Sequence, residues 1–261
     1  MSVIKLLFKS IETELSKEMV YKWNFIIKIL SLISVDIVSP LVTLLIYQKT
    51  LGIPGWSFEQ FILFQGTFIF VMGFNRMTQI SLAWKVIYEV REGTFDKFLI
   101  KPYNPLLYLT VTSWDLEGIG DLLVGVSLLV WSFAKLGISI VSFNFVSYVF
   151  LVLLAILFTY SIMVLISSLS FVVVKSFALF DIFFNLIETG RYPATIYNYG
   201  FRFFVSFLFP IAIASTFPAT ALLKGYSLLG ILTIALPVLA FFIVSVVFWS
   251  IAMKKYSSAG G

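Results

Sequence analysis

The amino-acid sequence predicts an all-α membrane protein with six transmembrane helices. Hydrophobic residues make up 60% of the chain and charged residues 12%, whereas soluble domains contain about 25% charged residues. Its apolar runs are longer than a globular core requires, and about 20 apolar residues suffice to cross a bilayer as a helix. We therefore expect one transmembrane domain at 1–256, within the 261 residues, and a flexible tail at 257–261.

The residue types that the chain lacks exclude several kinds of chemistry. It contains no Cys and no His, which removes disulfides, thiol chemistry, haem ligation by His and the familiar zinc sites. The G-x-x-x-x-G-K-[ST] and G-x-G-x-x-G nucleotide-binding motifs are also missing. We therefore predict that the chain is not an enzyme, binds no cofactor and no metal, and draws energy for uphill transport from a partner. Its net charge of +5 comes from scattered cations, which favours loops near anionic lipid over nucleic-acid binding.

Residues 1–23 are predicted to form an interfacial helix. Charged residues alternate with apolar ones, which recur every three or four positions and so share one helical face. The apolar residues are Ile4, Leu7, Ile11, Leu15 and Met19. We expect this helix to lie flat on the cytoplasmic leaflet. It either contacts a partner or only covers the membrane surface.

The first two spans are predicted at 24–47 and 58–84, and each carries one deeply placed charge. Asp36 and Arg76 lie about 12–16 Å from the cytoplasmic ends of these spans, at about 1.5 Å of rise per residue. A lone charge at such depth costs about 2.5–3.5 kcal/mol. Because the charges are opposite and lie at similar depth, we expect Asp36 and Arg76 to form an intramembrane pair, as a structural clamp or a substrate contact.

A charged stretch at 85–105, which we call the polar segment, separates spans two and three. Its charged residues are Lys85, Glu89, Arg91, Glu92, Asp96, Lys97 and Lys101. Val90, Phe95 and Phe98 recur at helical spacing, which predicts short amphipathic helices with a break at Gly93. Pro102 and Pro105 then interrupt the helical chain. We expect the segment to lie outside the lipid and to dock onto another protein; an ordinary solvated loop is the alternative.

Span three is predicted to begin at Ser113 or Asp115 and to end near 131–135, and spans four and five are predicted at 145–169 and 171–189. Acidic residues in the first turns of span three complement the positive end of the helix dipole. They are Asp115, Glu117 and Asp121. Asp181 lies near the middle of span five, where it either lines a polar cavity or has a structural role.

Residues 190–224 are apolar enough for another span, but Pro210 and Pro218 break the run. Counting the segment as re-entrant gives six crossings, with the last span at 228–253. This arrangement puts most Lys and Arg residues and both termini on the cytoplasmic side, as the positive-inside rule favours. We therefore predict an outer re-entrant hairpin in which the two prolines line or plug the outer end of a cavity.

Two stretches resemble the ABC-2 type permeases, which are transmembrane subunits of bacterial ABC exporters. The first is R-E-G-T-F-D-K-F-L-I-K-P at 91–102, and the second combines R-Y-P-A-T-I-Y at 191–197 with F-P at 209–210 and 217–218. The resemblance is collinear over nearly the whole chain. The family more often has Leu where this chain has Lys97 and Ile100, and often Arg in place of Lys101, so the predicted docking surface carries an extra charge at Lys97.

The resemblance implies that the polar segment contains coupling helices that dock into a cytoplasmic ABC ATPase. The residues assigned to this contact are Glu89, Val90, Arg91, Glu92, Gly93, Thr94, Phe95, Asp96, Lys97, Phe98, Lys101 and Pro102. Val90, Phe95 and Phe98 are expected to insert into the partner. The implied assembly has two permease subunits, identical or paralogous, and two ATPase subunits that bind ATP and Mg. It would export a lipid, lipopeptide or drug-like molecule across the bacterial cytoplasmic membrane.

Two other functions are consistent with parts of the sequence. A membrane-embedded lipid-modifying enzyme would use Asp115, Glu117 and Asp121 as its carboxylates, but their spacing puts at most Glu117 and Asp121 on one helical face. A membrane scaffold that transports nothing is the third possibility. Association with an ATPase whose hydrolysis rate rises on assembly would distinguish the permease from both.

Overall fold

The computed structural model describes residues 3–173 and 176–257, and within these ranges the chain is helical without any β-strand. The predicted all-α class is therefore observed. The α-helices are α1 (Val3–Val20), α2 (Lys22–Lys49), α3 (Phe58–Asn75), α4 (Ser81–Arg91), α5 (Asp96–Leu99), α6 (Pro105–Thr112), α7 (Ile119–Leu136), α8 (Phe143–Leu169), α9 (Ser176–Glu188), α10 (Tyr199–Phe203), α11 (Thr216–Lys224) and α12 (Leu228–Ala252). Residues 258–261 of the predicted tail lie outside the described residues.

Four helices in the described part of the chain are long and apolar enough to cross a membrane. They are Lys22–Lys49, Leu116–Leu136, Phe143–Leu169 and Leu228–Lys255. Their positions agree with predicted spans one, three, four and six. Local capping explains several of their ends: Ser142 and Ser227 accept hydrogen bonds from the first turns of α8 and α12, and Gly137 ends α7 in the left-handed conformation.

The other two predicted spans have different forms. Helix α3 continues through a π-helical segment, Arg76–Ile80, into α4, and most of α3 is buried by protein. The described part of helix α9 has 13 residues, which gives about 20 Å of length, less than the roughly 30 Å of a bilayer core. Neither is among the four membrane-crossing candidates, so the count of six spans stays a prediction.

Helices α3 and α7 pack with their backbones in close contact because glycines line the contact. Gly66 and Gly73 are seven residues apart, as are Gly118 and Gly125, and this spacing returns to the same helical face every two turns. A Cβ on Gly73 would lie 2.8 Å from the backbone nitrogen of Leu122. Small residues commonly allow such approach between membrane helices. The glycines therefore fix the depth of α7 relative to α3.

The predicted hairpin at 190–224 consists of short helical pieces. The apolar helix Tyr199–Leu208 and helix α11 (Thr216–Lys224) are each about 15 Å long or less at about 1.5 Å per residue. Neither is long enough for a bilayer core of about 30 Å. A break that contains the buried Pro210 separates them. The segment therefore does not cross as one helix, which agrees with a hairpin; its placement on the outer side stays a prediction.

Side chains satisfy the non-helical backbone of this hairpin. The Ser215 hydroxyl donates to the Gly190 carbonyl at 2.6 Å, and the Thr216 hydroxyl accepts from the Ala194 N–H at 3.2 Å. The Arg202 guanidinium donates to the carbonyls of Ala194, Thr195 and Tyr197. Irregular backbone is tolerated at membrane depth only when its polar groups find such partners.

Helix α1 (Val3–Val20) contains no fully buried residue. Leu7 and Ile11, from the predicted apolar face, are half-buried, whereas Ile4, Leu15 and Met19 are exposed. The helix packs against α6 along one side. The predicted apolar face is thus only partly covered by the chain itself, and its location at a lipid surface stays a prediction.

Candidate functional site

The polar segment forms a tight helical turn between α4 and α6. Gly93 has a φ of 67°, a left-handed conformation that favours glycine, and it follows the end of α4 as the sequence predicts. The Thr94 N–H closes the turn by donating to the Glu89 carbonyl at 2.9 Å. After the short helix α5, the Asn104 side chain accepts hydrogen bonds from the first N–H groups of α6.

Glu89 joins the two arms of this turn electrostatically. Its carboxylate is buried and accepts hydrogen bonds from the Lys97 ammonium, with which it forms an ion pair, and from the Thr94 hydroxyl. Burial opposes ionisation of Glu89, but the hydrogen bonds from Lys97 and Thr94 outweigh it and lower the pKa of the carboxyl. The ionised form of Glu89 therefore fixes α5 against α4.

Phe95 and Phe98 hold the polar segment against the rest of the chain. Both belong to an apolar cluster that includes Phe171, after α8, and Trp249 of α12. The Phe95 ring meets the Phe171 ring edge-on, with 4.9 Å between centroids, a favourable aromatic geometry. Its backbone N–H donates to the Tyr256 hydroxyl at 3.2 Å. The segment is thus packed on the ends of two helices that are long enough to cross a membrane.

This arrangement corrects one expectation. Phe95 and Phe98 were predicted to insert into a partner protein, but they are 0% and 3% exposed, and Val90 is half-buried. The apolar contacts that Phe95 and Phe98 require are supplied by the chain itself. These three residues therefore position the segment and leave contact with a partner to other side chains.

The outward face of the polar segment combines charged and apolar side chains. It consists of Arg91, Glu92, Lys97, Leu99 and Ile100, all of which are exposed. Ile100 is 84% exposed and Leu99 is 42% exposed. The docking residues predicted from the sequence do not include Leu99 and Ile100. Two adjacent apolar residues beside charged ones would have indicated them. Among the other assigned residues, Thr94 and Pro102 are exposed, whereas Gly93, Asp96 and Lys101 are half-buried.

Cations of the polar segment are stacked on aromatic rings of neighbouring helices. The Arg91 guanidinium lies 5.5 Å from the ring centroid of Phe177 in α9. The Lys101 ammonium lies 4.6 Å from the ring centroid of Tyr108 in α6. Such cation–π contacts restrict otherwise flexible side chains. They connect the polar segment to α9 and α6.

The charged residues of the apolar helices pair differently from the prediction. Arg76 donates from Nε to Asp121 Oδ2 at 2.7 Å, so its ion-pair partner is Asp121 rather than Asp36. Asp36 lies within hydrogen-bonding reach of Asp121. Similar depth correctly indicated that Arg76 has an acidic neighbour. Because α3 is in close contact with α7, Asp121 lies nearer to Arg76 than Asp36 does.

The three carboxylates proposed for an enzyme have separate roles. Asp115 accepts from the Glu117 N–H at 2.9 Å and caps the turn before α7. Glu117 forms an ion pair with Lys28 of α2, and Asp121 is paired with Arg76. Residues 3–173 and 176–257 contain no group of three or more acidic side chains suited to hold a metal. These carboxylates do not converge on one reaction site.

The residues suggested for cavity lining have mixed positions. Asp181 is exposed on α9, whereas Pro210 and Pro218 are buried in the hairpin. None of the three lines the cavities described below.

Two cavities meet at Trp114, which follows α6. An apolar groove of about 600 Å³ is bounded by α1, α3, α6, α8 and α12, with Trp114, Ile156 and Tyr160 among its lining residues. A second cavity of about 720 Å³ contains Lys85 and Asp115 at the junction of α1, α4 and α6. Burial lowers the pKa of Lys85 and raises the pKa of Asp115. The groove suits an apolar chain, and the second cavity offers polar groups beside it.

The chain is similar to a known family of transporter proteins. A family model described as ABC-2 family transporter protein matches residues 20–260. The matched range includes the polar segment and the four helices that are long and apolar enough to cross a membrane. No curated protein and no solved structure matches the chain.

Proposed function

Because the chain belongs to the ABC-2 family of transporter proteins, we propose that it is the permease subunit of an ATP-driven exporter whose ATPase is a separate chain. It is a membrane protein and a transporter component. The sequence contains neither nucleotide-binding motif, so ATP and Mg would bind in the partner. The proposed assembly has two ABC ATPase subunits and a second permease subunit, identical or paralogous.

The observation that carries this proposal is the construction of the polar segment. Its inner side is packed on Phe171 and Trp249 through Phe95 and Phe98, while Leu99 and Ile100 face outward. Closely packed cores have low compressibility and transmit displacement. A movement of the outward face would therefore be passed on to α8 and α12, because in the described part of the chain no flexible loop lies between them to absorb it.

The outward face has the composition of a protein-docking surface. Exposed apolar side chains next to charges of both signs supply contact area and orientation. Ile100 and Leu99 would enter an apolar groove of the ATPase, while Arg91 and Glu92 set the register. These residues replace Phe95 and Phe98 as the direct contacts.

The proposed substrate is hydrophobic or amphipathic, such as a lipid, lipopeptide or drug-like molecule. The apolar groove near Trp114 and Ile156 supports this class because its volume of about 600 Å³ is in the range of small-molecule sites. We place the protein in the bacterial cytoplasmic membrane with both termini cytoplasmic. This orientation puts the polar segment on the side where ATP is present.

Charge reversal on the outward face tests the proposal. The chain is co-expressed with its candidate ATPase, the complex is reconstituted in nanodiscs, and ATP hydrolysis is compared with that of the ATPase alone. Arg91→Glu and Glu92→Lys should each reduce the stimulation at least several-fold, and Glu92→Lys should do so without changing the unfolding temperature of the permease. Lys224→Glu, at an exposed position of the hairpin, is the matched control and should retain it. Full stimulation in both outward-face variants would contradict the docking assignment.

A further inference from the structure

We propose that Asp36 and Asp121 form a carboxylic acid–carboxylate pair that binds one proton beside Arg76, where α2 and α7 meet the π-helical segment Arg76–Ile80. This inference concerns the membrane-embedded part of the chain. It does not depend on the proposed partner or substrate.

The geometry leaves both carboxyl groups incompletely satisfied. Arg76 occupies Oδ2 of Asp121, whose side chain is 3% exposed, while Oδ1 of Asp121 is buried without a hydrogen-bond partner among the described residues. Asp36 approaches from α2 to within hydrogen-bonding reach of Asp121. Its own Oδ2 is likewise buried without a partner in the described part of the chain. Each carboxyl group therefore has a buried oxygen without a partner, and the two groups lie within hydrogen-bonding reach of each other.

A single proton resolves this conflict. An ionised carboxylate can only accept hydrogen bonds, whereas a protonated one can also donate. Two adjacent carboxylates repel each other when both are ionised, and an unsatisfied buried oxygen costs about 1–3 kcal/mol. One proton converts the repulsion into a hydrogen bond between the two groups.

The charge balance also favours one bound proton. Arg76 contributes one positive charge and the two carboxylates contribute two negative charges, so the group is neutral only with one proton. Arg191 also faces Asp36, but it is paired with Glu188 at 2.8 Å and adds no net charge. A neutral group is the least costly arrangement at membrane depth.

The proton resides on Asp36. Asp121 accepts the hydrogen bond of the Arg76 guanidinium, which favours its ionised form. A metal cation is the less suitable occupant, because Arg76 approaches Asp121 from one side and the described residues contain no set of three acidic ligands. Moving α2 away from α7 would admit water to the pair, so proton occupancy and the α2–α7 contact are thermodynamically linked.

Infrared spectroscopy of the purified chain tests this inference. The chain is labelled with ¹³C at its aspartate carboxyl groups, placed in nanodiscs at neutral pH, and compared with its variants. We expect the C=O band of one protonated aspartic acid per chain. The band should be lost in Asp36→Asn and kept in Asp181→Asn, the control at an exposed aspartate.

Thermal unfolding of the same samples provides a second readout. An asparagine at position 36 still donates to Asp121, so Asp36→Asn should unfold near the wild-type temperature. Asp121→Asn leaves Arg76 without its carboxylate and should unfold several degrees lower. A wild type without the protonated band, a band that survives in Asp36→Asn, or a band that appears only when Na⁺ is removed would overturn the proposal. The last result would assign the pair to a monovalent cation.

Discussion

The backbone N–H of Phe95 donates a 3.2 Å hydrogen bond to the hydroxyl of Tyr256, 161 positions later in the chain. The two rings also meet edge-on at 5.5 Å. Phe95 belongs to the polar segment and Tyr256 follows α12, so these contacts join the segment directly to the end of the last membrane-crossing helix. Both contacts would have to change if the segment moved relative to α12.

Truncation of Phe95 should weaken the fold, whereas truncation of Ile100 should not. Phe95→Ala removes a fully buried ring and is expected to cost about 3–5 kcal/mol. Ile100→Ala removes an exposed side chain and should change the free energy of unfolding by no more than about 0.5 kcal/mol. Chemical unfolding of the isolated permease in detergent measures both. Similar losses in the two variants would contradict the inward and outward assignment of these residues.

A double-mutant cycle should detect the ion pair of Arg76 with Asp121. Asp121→Ala removes the buried carboxylate from the partly exposed Arg76 and is expected to cost about 1–3 kcal/mol. Combining it with Arg76→Ala should cost less than the sum of the single losses, because contacting residues are not additive. The matched control combines Arg76→Ala with Asp181→Ala, which should be additive. Additivity in both cycles would mean that the pair does not form.

Alanine at Gly125 should disturb the contact of α3 with α7. The added Cβ would lie 2.7 Å from the backbone nitrogen of Phe70, and backbone cannot yield as a side chain can, so we expect a loss of about 1–3 kcal/mol. Gly230→Ala, at the start of α12, is the control because its Cβ would meet only ordinary contacts of 3.5 Å or more. Thermal unfolding compares the two. An unchanged Gly125→Ala would contradict the close packing of these helices.

The contribution of Glu89 to stability should depend on pH. Its pKa in the folded chain is below the ordinary value of 4.5, so folding favours the ionised carboxylate. The stabilisation is fully present above pH 4.5 and is lost as the pH falls through the lower folded pKa. The difference in unfolding free energy between wild type and Glu89→Gln should therefore shrink on acidification below this value.

Glu12→Gln is the control for this titration, because Glu12 is exposed and forms no ion pair among the described residues. Its difference from wild type should stay near zero from neutral to acidic pH. A Glu89→Gln difference that is constant over the same range would show that Lys97 and Thr94 do not favour the ionised form.

Local features of the fold were predictable from the sequence. The long apolar runs give α2, α7, α8 and α12 close to their predicted positions, because hydropathy and capping are properties of neighbouring residues. The break at Gly93 was predictable for the same reason. The prolines at 210 and 218 correctly indicated that the hairpin does not cross as one helix.

Features that depend on helix rotation were not predictable. Depth along the chain placed Asp36 and Arg76 at one level, but the partner of Arg76 depends on the glycine contact between α3 and α7, which selects Asp121. The spacing of Phe95 and Phe98 showed that they share a face and need an apolar partner. It did not show that Trp249 and Phe171, distant in sequence, provide that partner within the same chain.

Site-specific cross-linking tests the central claim, that the polar segment receives force from a separate ATPase. Because the chain contains no Cys, Ile100→Cys and Tyr199→Cys each introduce a single attachment point for a photoreactive maleimide at an exposed position. In the complex assembled with the ATPase, the probe at position 100 should cross-link to the ATPase, and the probe at position 199 of the hairpin should not. Cross-linking from position 199 alone, or from neither position in a complex that hydrolyses ATP, would contradict the account.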